Sequence, residues 1–268
     1  MSKNVVFMTA VKVDKFPYRS EPYKYGISSW KKWCDKNNCK LMVLDELLHP
    51  NDVMRINFHR YYAFDILENN GIDCDKVLLT DADCIIHPDC PNFFEMTDGK
   101  YAVTHTDGCY DWTCRSLENY SHFMFNGETF TLDKYFNAGF QVVDKKYRYV
   151  FDNLIKFYFE NQEAIIYLQN NYSVGTDQPI INFLVNLDKK IETKILSYQF
   201  CMIDLHRKEL LDENMTFIKV MPGIYQFNAV PDNDRAVKTL YWMKKTYEHF
   251  YGKLHNVLPI KSYGRVND

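Results

Sequence analysis

Two aspartates one residue apart, Asp81 and Asp83, close the apolar run Val77-Leu78-Leu79-Thr80, and a second apolar pair, Ile85 and Ile86, follows. On a strand, residues two apart point to the same side, so the carboxylates converge and repel unless a cation sits between them. Hard oxygen donors suit Mg²⁺ or Mn²⁺, and such an ion's natural partner is a diphosphate. The same spacing recurs at Asp73/Asp75 and Asp232/Asp234, but no apolar strand leads into either. Lys76 to Thr80 reads as a buried parallel strand, and open α/β sheets bind ligands beyond the carboxyl ends of their strands. Metal binding is therefore expected at Asp81 and Asp83.

Other elements must hold that strand in place. Asn4 to Ala10 and Lys40 to Leu44 read as strands around a helix from Glu21 to Asn37, whose apolar face is Ile27, Trp30, Trp33 and Cys34. A helix over Val53 to Leu67, stopped at Asn69-Asn70-Gly71, feeds the carboxylate strand. A short helix carries Phe93 and Phe94, and Tyr101 to Thr104 reads as a strand. The polar, aromatic stretch from His105 to Thr131 reads as a loop serving as lid or acceptor platform. A strand over Tyr135 to Val143 holds Asn137-Ala138-Gly139; glycine inside a strand marks close approach of a ligand or another backbone. Lys145 to Gln169 is helical with a break near Asn161, and Thr176-Asp177-Gln178-Pro179 opens a helix through Leu184. Strands near Lys194, Phe217 and over Ile224 to Asn228 complete the sheet, before a helix from about Asp234 to Tyr251. The alternation predicts an α/β fold with a mostly parallel sheet flanked by helices. One domain spans 1–230, and the C-terminal helix and tail, 231–268, pack on it.

At 268 residues the chain can bury a sizeable single core. Its formal net charge of −3 provides no basic field for nucleic acid or an anionic membrane, so small or neutral partners are expected. Aromatics are 16% of residues, with 20 Tyr and 19 Phe, which suits sugar platforms and ordinary cores alike. No apolar signal segment or membrane-length run is present, and a cytoplasmic protein is expected. Cys34, Cys39, Cys74, Cys84, Cys90, Cys109, Cys114 and Cys201 lack zinc-site spacing and read as reduced thiols.

Four stretches, in order, resemble the GT-A glycosyltransferases, closest to family 8. They are His59-Arg60-Tyr61, Asp81-Ala82-Asp83, Phe136-Asn137-Ala138-Gly139-Phe140 and Asp177-Gln178. The resemblance implies transfer of a sugar from a nucleoside diphosphate donor, most simply a UDP-sugar, to a hydroxyl acceptor, with retention of configuration. It implies Mn²⁺ or Mg²⁺ on Asp81 and Asp83, with Asp81 also beside the donor, and Arg60 reaching sugar and carboxylates. Asn137 would bond donor hydroxyls, Gly139 would leave room for the ligand, and Thr9 would lie at the nucleoside. Asp177 and Gln178 would lie beneath the sugar and near the acceptor, as the catalytic pair.

The chain departs from the family near its C-terminus, where Gln226, within Tyr225-Gln226-Phe227-Asn228-Ala229, stands in place of a metal-binding His. Gln226 is then the expected third metal ligand, with His206 a spare, and Arg235 or Lys238 the expected phosphate contact. Other readings of the carboxylate pair are a sugar-nucleotide nucleotidyltransferase, a haloacid-dehalogenase-like phosphohydrolase with a carboxylate nucleophile, and a non-catalytic sugar-binding protein. The first would want a glycine-rich loop after the first strand, and Val11 to Ser20 has no glycine.

Overall fold

The structure, a computed structural model, describes residues 3–12, 20–106, 110–203, 221–228 and 235–254, with only the backbone for 235–237. His206, Cys109, the Asp232/Asp234 pair, the strand expected near Phe217 and the side chain of Arg235 lie outside the described residues.

Strands β1 (Asn4–Thr9), β2 (Lys40–Leu44), β3 (Lys76–Asp81), β5 (Tyr101–His105), β6 (Phe136–Asp144) and β7 (Thr193–Leu196) form one six-stranded sheet in the order β2-β1-β3-β6-β5-β7. The β1–β2, β1–β3 and β5–β7 pairs are parallel, and β6 runs antiparallel to both its neighbours. This is the mixed, mostly parallel sheet that the alternation predicts.

One face of the sheet packs on Phe58, Tyr61, Phe64, Phe151, Leu154, Ile180 and Phe183, the other on Trp30, Trp33, Phe93, Phe94 and Phe200. Helix α1 (Tyr23–Lys36) buries Ile27, Trp30, Trp33 and Cys34 as its periodicity predicts, and ends at Asn37 before Asn38 at φ 51°. The segment before β3 is not one helix: a 3₁₀ stretch over Ile56–Tyr62 runs into α2 (Ala63–Asn69), which stops at Gly71 with φ 66°. Its 3₁₀ part carries Arg60.

Two further expectations fail. The stretch from His105 to Thr131 is not a loop, because residues Tyr110–Met124 form helix α3. Its buried stripe of Thr113, Ser116, Leu117, Tyr120 and Ser121 has helical spacing, but three of the five are small hydroxyl side chains, so hydrophobicity does not betray it. The strand expected over Ile224 to Asn228 is β8 (Ile224–Gln226), and it leaves the main sheet to pair with β4 (Cys84–Ile86).

Helices α4 (Arg148–Glu160) and α5 (Gln162–Tyr172) break at Asn161, and α6 (Asp177–Leu187) opens at the Asp-Gln pair. The last helix, α7 (Arg235–Tyr251), lies on α1 and β4, and Met243 and Tyr247 join Tyr25, Ile85 and Tyr225 in a third apolar cluster. The Tyr251 hydroxyl donates to Ile86 O at 2.7 Å. Among the described residues no helix is long and apolar enough to cross a membrane. Cys34, Cys39, Cys74, Cys84, Cys90, Cys114 and Cys201 are free thiols.

Candidate active site

The carboxyl end of β3 delivers Asp81, and the tight turn into β4 delivers Asp83. That turn is fixed from outside by α1. A Cβ on Gly26 would lie 2.1 Å from Ala82 O and 2.9 Å from Cys84 O, so only glycine lets the helix approach. Phe227 N–H donates to Asp83 O at 2.9 Å, which ties the turn to β8.

Arg60 joins the expected residues into one cluster. Its Nη2 lies 2.9 Å from Asp81 Oδ1, its Nε 3.6 Å from Asp177 Oδ2, and its Nη1 donates to Ala138 O at 3.0 Å. The Arg60, Asp81 and Asp177 side chains are 10%, 21% and 4% exposed, so solvent screens their attraction weakly. Burial works against charge on Arg60, but Asp81 and Asp177 outweigh it and raise its pKa. One guanidinium faces the three carboxylates of Asp81, Asp83 and Asp177, which leaves two formal negative charges in the cluster.

That surplus shows in the carboxylates. Burial pushes Asp81 up against the pull of Arg60, and burial together with the Asp81 charge pushes Asp83 up to about 7. The site carries the charge that one divalent cation would neutralise. Among the described residues no set of three or more His, Cys, Asp or Glu side chains is arranged to hold a metal. Asp81 and Asp83 are the two carboxylates that would hold such a cation.

Gln226 comes within reach through the β4–β8 pairing, where it lies opposite Cys84. Its Nε2 donates to Asp81 Oδ2 at 3.0 Å, and its Oε1 accepts from the Cys201 thiol at 3.3 Å. A carboxylate only accepts, so the nitrogen must face Asp81. Ligating a metal through Oε1 requires the amide to turn over.

The amides of Asn137 and Gln178 are oriented just as firmly. Asn137 Oδ1 accepts from Gly139 N–H at 2.6 Å, and Gln178 Oε1 accepts from Ala138 N–H at 3.1 Å. Backbone N–H groups only donate, so both side chains keep their NH₂ groups for other partners. Gly139 lies against Asp81: a Cβ there would sit 2.5 Å from Asp81 Oδ2 and 3.0 Å from Asn137 Oδ1. Thr9 pairs in register with Asp81 at the end of β1, and its buried hydroxyl has no hydrogen-bond partner among the described residues. Lys238 is partly exposed on α7.

Asp177 is held from three sides. The Tyr61 hydroxyl donates to Oδ2 at 3.1 Å and the Thr176 hydroxyl to Oδ1 at 2.9 Å. Helix α3 braces the preceding turn, with the Ser116 hydroxyl accepting from Gly175 N–H at 3.0 Å and the Tyr120 hydroxyl donating to Gly175 O at 2.8 Å. Burial, with Asp177 beside it, raises the pKa of Tyr61 and keeps it a donor. His59 points away from this cluster: its Nδ1 accepts from Leu48 N–H at 3.2 Å, and burial with nearby His49 lowers its pKa to about 4. Sequence reasoning misses Tyr61, although it adjoins Arg60, and Gln141, a lone amide in the apolar run Phe140 to Val143.

No protein-family model matches the sequence, and no curated protein matches it. Among solved structures, a glycosyltransferase involved in glycosylation of the major capsid of PBCV-1 is similar over 88% of this chain and 98% of its own, with 9% identity and a TM-score of 0.55. That likeness shows a shared fold. The glycosyltransferase GlyE of Streptococcus pneumoniae TIGR4 aligns over 94% of this chain and 64% of its own at 13% identity, with a TM-score of 0.43.

Proposed function

We propose that this chain is a metal-dependent glycosyltransferase that moves a sugar from a nucleoside diphosphate donor, UDP by resemblance, to a hydroxyl acceptor. The observation that carries the reading is the Arg60 bridge between Asp81 and Asp177. It brings residues from three of the four matched stretches into one buried cluster at the carboxyl end of β3, and the fourth, Asn137-Ala138-Gly139, lies against it. The fold shared with a glycosyltransferase supports the same reading.

Each residue has a role that follows from its chemistry. Asp81 and Asp83 would hold Mg²⁺ or Mn²⁺, which when bound neutralises charge on a leaving diphosphate. Arg60 offers a fixed cation to the same developing charge. The NH₂ group of Asn137, and that of Gln178 beside Tyr135, donate to oxygens of the donor sugar. Asp177, fixed by Tyr61 and Thr176, presents a carboxylate that stabilises positive charge at the anomeric carbon or orients the acceptor hydroxyl. Thr9 supplies for the nucleoside a buried hydroxyl that is unpaired among the described residues.

The phosphohydrolase reading would make Asp81 the nucleophile, and it differs from the transferase reading in the product released. The test is a panel of nucleotide sugars with Mg²⁺ or Mn²⁺. Slow release of nucleoside diphosphate and free sugar from one donor supports the proposal; formation of a nucleoside triphosphate and a sugar 1-phosphate when pyrophosphate is added, or hydrolysis to a nucleoside monophosphate and a sugar phosphate, contradicts it.

A further inference from the structure

Strand β6 passes the site with a break in its ladder. Val103 pairs with Gln141 and His105 with Phe136, so two steps along β5 span five along β6. The surplus falls at 137–140, as a bulge beside the carboxylates. A bulge strips backbone groups of their ladder partners, and a buried group left unpaired destabilises the fold.

Side-chain amides take over here. Asn137 caps Gly139 N–H, Gln178 caps Ala138 N–H, and Gln141 Nε2 donates to Ala138 O at 2.8 Å. Gln141 is fully buried where an aliphatic residue is ordinary filling. Its Oε1 is fixed in turn by the Tyr101 hydroxyl, which is equally buried. The Ala138 carbonyl that Gln141 holds is the one on which Arg60 Nη1 rests at 3.0 Å. One carbonyl oxygen, with two lone pairs, therefore links the buried amide to the arginine of the site.

We propose that Gln141 is a positioning residue. Clamped by Tyr101, it fixes the Ala138 carbonyl, and through that carbonyl it sets where Arg60 meets Asp81 and how the Asn137 amide faces the ligand. The consequence for turnover rests on the glycosyltransferase reading above; the consequence for the bulge does not.

Two variants test it. Gln141→Leu removes the donor at similar volume. Gln141→Glu keeps the shape, and its carboxyl donates to Ala138 O only when protonated. The titratable groups around the position are Tyr101 on β5, Tyr61 and Arg60 on the 3₁₀ stretch, and Asp177 on α6 beyond Tyr61. Amide exchange is read at Ala138 and Gly139, and donor hydrolysis by a nucleotide sugar is read as kcat and KM against pH.

The expected result for Gln141→Leu is faster exchange at those two amides with β1 and β3 still protected, and a fall in kcat of about tenfold or more. Gln141→Glu should recover kcat and protection as pH falls, and lose both as it rises, a profile the wild type lacks. Wild-type exchange and turnover in both variants would overturn the proposal, as would a Gln141→Glu protein indifferent to pH. If the wild type hydrolysed no nucleotide sugar, the proposed function would fail, and exchange at Ala138 and Gly139 would still decide the role of Gln141.

Discussion

Arg60 and Asp81 form an ion pair at 2.9 Å in which the guanidinium does more than balance one charge. The same group reaches Asp177 at 3.6 Å and the Ala138 carbonyl at 3.0 Å, so α6, β3 and β6 are tied at one point. Breaking a buried pair by removing one partner leaves an uncompensated charge and costs about 3–5 kcal/mol. Arg60→Met should therefore lower unfolding free energy in urea by an amount of that order and abolish turnover. Arg60→Lys should keep more stability but lose turnover, because an ammonium cannot span three acceptors as a planar fork does. A Lys variant with wild-type turnover would show that the fork is dispensable.

Burial and the neighbouring Asp81 charge oppose ionisation of Asp83, and its pKa is pushed up to about 7. Asp83→Asn removes a charge the fold does not need. Without metal, thermal unfolding should occur at the wild-type temperature or above it, while stabilisation by Mg²⁺ or Mn²⁺ with UDP should largely vanish. A variant that unfolded well below the wild type would mean that this charge supports the fold.

Two glycines separate folding from chemistry. At Gly26 an added Cβ meets the backbone oxygen of Ala82 at 2.1 Å, and at Gly139 it meets the side-chain oxygen of Asp81 at 2.5 Å. Gly26→Ala should push α1 off the Asp81–Cys84 turn and destabilise the whole protein. Gly139→Ala should fold with only a modest loss, because the carboxylate can move, but displacing it by about 1 Å should cost roughly a hundredfold in turnover. Circular dichroism melting and donor hydrolysis on both variants separate the two effects.

Much of this was legible in the chain, and the exceptions have physical causes. β1, β2 and β3 are unbroken apolar runs, and the break at Asn161 and the opening at Asp177 carry their own turn and cap residues. Helix α3 was hidden because Ser116 and Ser121 pack through hydroxyls and small size. The bulge at 137–140 was half visible: Gly139 hinted at close approach, but a register slip depends on β5, which pattern along one strand does not record. Gln226 was found by position, yet the direction of its amide was set by Asp81 and Cys201, far away in sequence.

His59 gives a pH signature unrelated to the metal. Its pKa is lowered to about 4 in the folded chain, against about 6.5 when exposed. Between those values the unfolded chain binds a proton that the folded one refuses, so this contribution to stability is complete above pH 6.5 and is lost as pH falls toward 4. Urea unfolding from pH 7.5 to 4.5 should show a decline that His59→Gln reduces. An unchanged pH slope in that variant would assign the decline to other groups.

Calorimetric titration of UDP with Mg²⁺ or Mn²⁺ into the wild type and Asp83→Asn tests the central claim most directly. The account predicts metal-dependent binding of UDP to the wild type and its loss in the variant. Binding of equal strength in both proteins, or none to the wild type with either metal, would contradict it.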